Sequence, residues 1–220
     1  MKKIIAYSLW GNNPKYTIGA IKNAEQVKLM YPEWKARFYV GSSTDKSIVQ
    51  SLKENDAQVI EMLEAGNWSG MFWRFEAASD SDVMISRDCD SRITLREVNA
   101  VNEWLLSDKL FHIMRDHPWH NAPILGGMWG VKSPLLKNIK EMISKFEKGD
   151  FWQVDQNFLK LLYPYVKKHA MVHDEFFEKM PWPQPRNTLE FVGQVYDEND
   201  LTIQEHLDVL KMFIEKQERV

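Results

Sequence analysis

Two aspartates, Asp88 and Asp90, stand one residue apart at the end of a short apolar run, in the stretch DVMISRDCDSR that covers residues 82–92. Residues i and i+2 of an extended segment point the same way, so the two carboxylates can converge on one hard divalent cation where the strand leaves its sheet. The same D-x-D pattern also arises in ordinary turns, where aspartates bond neighbouring backbone amides. The surroundings favour the metal reading. Arg87 and Arg92 flank the pair, and a guanidinium binds phosphate or carboxylate oxygens two at a time. A surface salt bridge explains either arginine equally well. Cys89, in the middle position, would point away from its neighbours and reads as a small packing residue. A helical pattern over 96–106 follows, which sets the pair at the carboxyl edge of a strand, where open α/β sheets bind their ligands.

The elements that must position this pair are legible for much of the chain. Residues 3–9 read as a buried first strand, ended by the loop chemistry of Trp10, Gly11, Asn12, Asn13 and Pro14. Residues 16–30 carry helix-spaced apolar side chains, with Ile18, Ile21, Val27 and Met30 as the inner stripe and Pro32 beyond the end. A second strand over 36–40, a helix over 45–55 with Ile48, Val49 and Leu52 inward, and a third strand over 58–62 continue the alternation. A helix over 71–78 and a fourth strand then lead to Asp88. Strands alternating with helices imply right-handed crossovers and a mostly parallel sheet.

Beyond the aspartates the regularity weakens. Residues 109–115 read as a strand, 117–123 as a loop, and 126–131 as a glycine-rich turn into a strand. Residues 150–162 are helical with Tyr163 and Pro164 ending the helix, 181–186 form a proline-rich loop, and 201–215 close as an amphipathic helix with Ile203, Leu207, Leu210 and Phe213 or Ile214 on one face.

At 220 residues the chain is long enough for one sizeable core, and no shift in composition marks a linker, so residues 1–220 are expected to form a single domain. With 28 basic against 31 acidic residues and no block of like charge, a nucleic-acid surface is not expected. One cysteine excludes an internal disulfide framework, and the apolar start is too short for a signal peptide or a spanning segment, so the expected compartment is the cytoplasm. The nine tryptophans are expected to lie mostly in the core, with a minority stacking on sugars or a base.

In order and spacing, the chain from residue 3 to about 175 resembles the glycosyltransferases of the GT-A fold, nucleotide-sugar-dependent enzymes with a D-x-D metal motif, and most of all small bacterial or viral sugar transferases. The residues that carry the resemblance are Ser8-Leu9-Trp10-Gly11 after the first strand, Asp88-Cys89-Asp90, Gly126-Gly127-Met128-Trp129-Gly130, Asp155-Gln156 and His173-Asp174. The implied fold is a GT-A-like, Rossmann-like α/β sheet, mostly parallel, flanked by helices and closed by a C-terminal helix. The implied activity is metal-dependent transfer of a hexosyl or deoxyhexosyl group from a nucleoside-diphosphate sugar to a glycan or other hydroxyl acceptor.

The resemblance also implies roles. Asp88 and Asp90 would bind Mn²⁺ or Mg²⁺, completed by His173, for which a hydrogen-bonded structural role is the alternative. Ser8, Leu9 and Trp10 would line the base, with Arg74, Arg87 and Asp88 near the rest of the donor, although Arg74 could equally face Asp80 or Asp82. Asp155 would take the acceptor's proton if the reaction inverts the anomeric centre. The bland alternative for Asp155 is that it complements the positive end of its helix. The acceptor would meet His117, Trp119, Gly126, Gly127 and Gln156, with the tryptophan stacked on a sugar face and the glycines admitting close approach.

Two rivals belong to other classes. A metal-dependent phosphatase or hydrolase usually places its aspartate pair at the end of the first strand, whereas here several elements precede it. A noncatalytic nucleotide- or sugar-binding module would hold the same ligands without turnover and would be indifferent to loss of Asp155.

Overall fold

The computed structural model describes residues 1–218. Its centre is a seven-stranded sheet built from β1 (Lys3–Leu9), β2 (Lys35–Val40), β3 (Gln58–Glu61), β4 (Val83–Ser86), β5 (Phe111–Arg115), β6 (Trp129–Lys132) and β7 (Ala170–Asp174), in the order β3-β2-β1-β4-β6-β5-β7. All neighbouring pairs are parallel except those of β6, which runs antiparallel to both β4 and β5.

Strand alternation divides the core into two layers. On one face Ile5, Tyr7 and Leu9 of β1 and Phe38 of β2 pack under α1 (Pro14–Met30), α2 (Lys46–Glu54) and α3 (Leu95–Leu106). On the other face Ile4, Met84, Phe111 and Trp129 pack against the 3-10 segment Trp68–Ser79, α4 (Ile139–Lys145) and α5 (Val154–Val166). The last element, α6 (Gln204–Glu218), follows a long irregular stretch.

The buried face of α1 differs from the expected stripe. Ile18, Ile21 and Met30 are only half-buried, while Thr17, Gly19, Ala20, Asn23, Ala24 and Val27 face inward. Small residues bring this helix close to its neighbours, and what it approaches is the Asp88–Asp90 loop. A Cβ on Gly19 would overlap the carbonyl oxygen of Cys89, and the Asn23 amide donates to the carbonyls of Cys89 (3.1 Å) and Ser91 (2.9 Å).

Three further expectations are corrected. The helix expected to stop at Pro164 begins at Val154 and runs on to Val166, with the proline inside it. The carbonyl that Pro164 leaves without a helical partner, four residues back, belongs to the exposed Lys160. The segment over 71–78 belongs to a longer 3-10 stretch rather than an α-helix. In α6 only Leu210 of the expected face is buried; Leu207 and Ile214 are half-buried, Phe213 is exposed, and Ile203 lies before the helix.

Candidate functional site

The carboxyl ends of β1 and β4 open onto a cleft of about 320 Å³ lined by Ser8, Leu9, Trp10 and Tyr16 on the first-strand side and by Arg74, Asp88 and Asp90 opposite, with Trp68 and Met71 at its wall. The sheet places β1 beside β4, so the loop that ends the first strand and the aspartate loop share one edge. Trp10 meets Trp68 and Trp73 edge-on at 6.3 and 6.2 Å, which gives the cleft a rigid aromatic corner.

Arg74 is the hub of the site. Its backbone N–H donates to the Ser8 hydroxyl at 3.1 Å, and its guanidinium donates to the Arg87 carbonyl (3.0 Å), to Asp88 Oδ1 and to Asp155 Oδ2 (3.1 Å). The Arg74 side chain is 5% exposed and that of Asp155 3% exposed, whereas Asp88 is 48% exposed at the cleft. Asp80 is paired with Arg37 instead, which removes the alternative that Arg74 faces that carboxylate. The Arg74 Nε is buried without a partner among the described residues.

Asp155 opens α5, with Gln156 half-buried beside it in the first turn. Burial pushes the Asp155 carboxyl above its ordinary range; Asp88 pushes the same way and Arg74 opposes both. Gly126 and Gly127 lie against this network. A Cβ on Gly126 would overlap Asp155 Oδ2 and come to 2.7 Å from an Arg74 nitrogen, and one on Gly127 would overlap Asp88 Oδ2. The space a side chain would take at both glycines is filled by the protein's own carboxylates.

Asp90 is more enclosed than Asp88, with a side chain 14% exposed, and it pairs with Lys15 Nζ at 2.8 Å. Burial raises its pKa, the neighbouring Asp88 charge adds to this, and Lys15 opposes. Burial pushes the Cys89 thiol up as well, which makes it a packing group and not a nucleophile. Lys15 escaped the sequence reading because nothing local links a lysine in the first turn of α1 to a carboxylate far along the chain.

Three expected site residues lie elsewhere. Arg87 is buried on the opposite side of the chain from Asp88, where its Nε donates to Glu97 of α3 at 2.8 Å. Arg87 follows the end of β4, and its burial against Glu97 keeps its side chain out of the cleft that Asp88 lines. His173 sits on β7, and β6 and β5 lie between it and β4, roughly 14 Å away across three strand spacings. Its Nδ1 is 2.7 Å from His112 Nε2 and its Nε2 is 3.1 Å from Glu103. One neutral tautomer satisfies this chain: His112 donates to His173, which donates to Glu103. His117 is buried too, donating from Nε2 to the His206 carbonyl (2.9 Å) and accepting the Trp119 N–H at Nδ1 (3.1 Å), so it shapes its loop, while Trp119 is 47% exposed.

Among the described residues no cluster of three or more His, Cys, Asp and Glu side chains could hold a metal by itself. Asp88 and Asp90 still fit a Mg²⁺- or Mn²⁺-type ion, because such ions are commonly held by one or two carboxylates with substrate phosphates and water completing the shell. Burial raises the Asp90 pKa first and the neighbouring Asp88 charge adds to it, and a cation between the two carboxylates would oppose both effects.

The loop is gripped from its other side by the C-terminal stretch. Tyr196 N–H donates to the Asp90 carbonyl at 2.8 Å and Val195 bridges Ser91. Arg92 binds Asp200 at 3.0 Å and stacks on the Tyr196 ring at 5.5 Å. Arg92 is thus a structural tie and not a phosphate partner.

No family profile and no curated protein matches the sequence. Solved structures do match in shape. A mannosyltransferase, PcManGT from Pyrobaculum calidifontis in complex with GDP-Man and Mn²⁺, superimposes with a TM-score of 0.55 at 15% identity, over 79% of this chain and 55% of its own. Glucosyl-3-phosphoglycerate synthase from Mycobacterium tuberculosis, in complex with phosphoglyceric acid, matches with a TM-score of 0.51 at 12% identity, over 85% and 73%. The same enzyme with Mg²⁺ and UDP gives 0.50 at 13%, over 85% and 72%. The fold is therefore that of the GT-A glycosyltransferases. The chain spans about half the length of the mannosyltransferase, 55%. No helix among the described residues is long and apolar enough to cross a membrane.

Proposed function

We propose that this chain is a metal-dependent glycosyltransferase that moves a hexosyl or deoxyhexosyl group from a nucleoside-diphosphate sugar to a hydroxyl acceptor, as a single cytoplasmic domain and with inversion at the anomeric carbon. The observation that carries the reading is the Asp88–Arg74–Asp155 network. It joins the D-x-D carboxylate at the cleft to a buried carboxylate on another element. The solved structures of the same fold, which carry GDP-Man with Mn²⁺ or UDP with Mg²⁺, support the choice of donor and metal.

Asp88 and Asp90 would hold the cation, which when bound neutralises charge developing on the departing nucleoside diphosphate. Trp10, Tyr16 and Trp68 offer the apolar surface a base requires. Asp155 lies buried behind Arg74 with its pKa raised by burial, and it would accept the acceptor's hydroxyl proton only where the acceptor reaches past Arg74 to it. Arg74 would keep that carboxylate oriented and tied to the donor side. Trp119, exposed on its loop, and Gln156 are the residues left to meet an acceptor.

The test is a thermal-shift panel of nucleoside diphosphates with Mn²⁺ or with a chelator, on the wild type and Asp90→Ala, followed by transfer assays on Asp155→Asn. A ligand that binds only the native state raises the melting point by mass action. The reading requires a shift for one nucleotide that depends on both metal and Asp90, and an Asp155→Asn variant that binds donor but does not transfer. A folded protein with no shift for any nucleotide overturns it; unimpaired transfer in Asp155→Asn removes the base assignment.

A further inference from the structure

We infer that Lys15 is an exchangeable counter-ion: it neutralises Asp90 in the free protein and moves to a phosphate of the donor when a divalent cation takes its place. The inference rests on the proposed donor site and adds a residue to it.

Both D-x-D carboxylates already have a cationic partner, but the two partners are held differently. Arg74 is buried, its main chain is fixed by Ser8, and its guanidinium binds Asp88, Asp155 and a main-chain carbonyl. It has no room to leave. Lys15 projects from the first turn of α1, its side chain is 30% exposed, and Asp90 is its one ion pair among the described residues. Its ammonium also lies 5.2 Å from the exposed Tyr16 ring, which lines the cleft. A lysine is a point charge on a flexible stem, and an arginine in a fork of fixed carboxylates is not.

A dication and an ammonium repel one another when they share a carboxylate, so binding of one must weaken the hold of the other. Asp88, Asp90 and Asp155 bring three negative charges to the site, and Arg74 and Lys15 bring two positive ones. Addition of a divalent ion turns the balance from net negative to net positive. The group then suited to restore it is a diphosphate, and Lys15, tethered at the rim of the same cleft, is the mobile cation that can follow it. The exchange predicts effects of opposite sign on metal and on nucleotide, which a purely structural lysine would not give.

Isothermal titration calorimetry separates them. Mn²⁺ is titrated into nucleotide-free wild type, Lys15→Met, Lys15→Gln, Lys15→Arg and Asp90→Ala. Each Mn²⁺-saturated protein then receives whichever of UDP, GDP, ADP, CDP and TDP the wild type binds best. Loss of the competing ammonium should tighten Mn²⁺ binding by roughly two- to fivefold in Lys15→Met, the range of a partly exposed ion pair. Loss of a charged phosphate contact should weaken the nucleotide about tenfold in the same variant. Lys15→Arg should keep nucleotide affinity and show no gain for Mn²⁺. Lys15→Gln, a second neutral variant of milder polarity, should follow Lys15→Met. If the neutral variants leave both affinities unchanged, or weaken both together, while the wild type binds metal through Asp90, the inference falls and the proposed function stands. A wild type that binds neither Mn²⁺ nor any of the five nucleotides overturns both.

Discussion

Gly19 of α1 lies against the carbonyl of Cys89, so close that a Cβ there would overlap the oxygen. A helix therefore rests directly on the main chain between the two aspartates. In an ordinary helix interior Gly→Ala stabilises by about 1 kcal/mol. Here the added methyl meets backbone and must push the loop away, at a cost of about 1–3 kcal/mol. Gly19→Ala should thus destabilise the protein in urea titrations and weaken Mn²⁺ binding. A stabilised variant with unchanged metal affinity would show that the contact gives way freely.

Arg74 and Asp155 form a pair whose side chains are 5% and 3% exposed, and removal of either partner has unequal consequences. Arg74→Met strands the Asp155 carboxylate in the interior, which costs about 3 kcal/mol or more. Asp155→Asn leaves an amide oxygen for the guanidinium and should cost about 1 kcal/mol. Chemical denaturation of the two variants checks the order, and equal losses would contradict the geometry.

His112 is fully buried, and burial holds its pKa well below the ordinary value of 6.5, with the His173, Arg87 and Lys132 charges acting in the same direction. Below that ordinary value the unfolded chain takes up a proton that the folded chain refuses. This contribution is present above about pH 6.5 and is lost as pH falls, reaching about 2 kcal/mol at pH 5. His112→Phe, which can keep the stack on Trp104 at 5.1 Å, should lose about 2 kcal/mol less than the wild type between pH 7 and pH 5. Identical pH dependence in the two proteins would exclude His112 as the source.

Arg92 is expected to act on the site only through the loop it ties. Arg92→Ala should weaken Mn²⁺ binding and lower stability together. In a double-mutant cycle with Asp200→Ala the coupling should be about 0.5–1 kcal/mol, as fits a carboxylate half in solvent. Absence of coupling would assign the tie to the Tyr196 stack and to the Arg92 guanidinium's bonds with the carbonyls of Cys89, Ser91 and Asp197.

The first half of the fold was readable because its information is local. The strand over 3–9 and the alternation through 62 follow from apolar runs and breakers, and the aspartate pair falls at a strand end as its flanks predict. The inner stripe of α1 was misread because Gly19, Ala20 and Asn23 bury themselves by closeness and not by hydrophobicity. His173 was drawn to the metal by its order in the chain, yet the insertion of the antiparallel β6 and of β5 between β4 and β7 sets it far away, and pairing order leaves no local mark. Arg87 is drawn away from the cleft by Glu97 of α3, a partner that the sequence around the aspartates does not reveal. Lys15 had no signal short of the folded chain.

The Asp88–Asp90 loop is held between α1 on one side and residues 195–200 on the other, so its two supports come from segments far apart in the sequence. During synthesis α1 emerges before the aspartates, whereas residues 195–200 emerge well after them. A nascent chain exposed as far as residue 189 would carry both aspartates and α1 while lacking Tyr196 and Asp200. Competence to bind metal would therefore wait for residues 195–200, which follow all seven strands of the sheet that bears the loop.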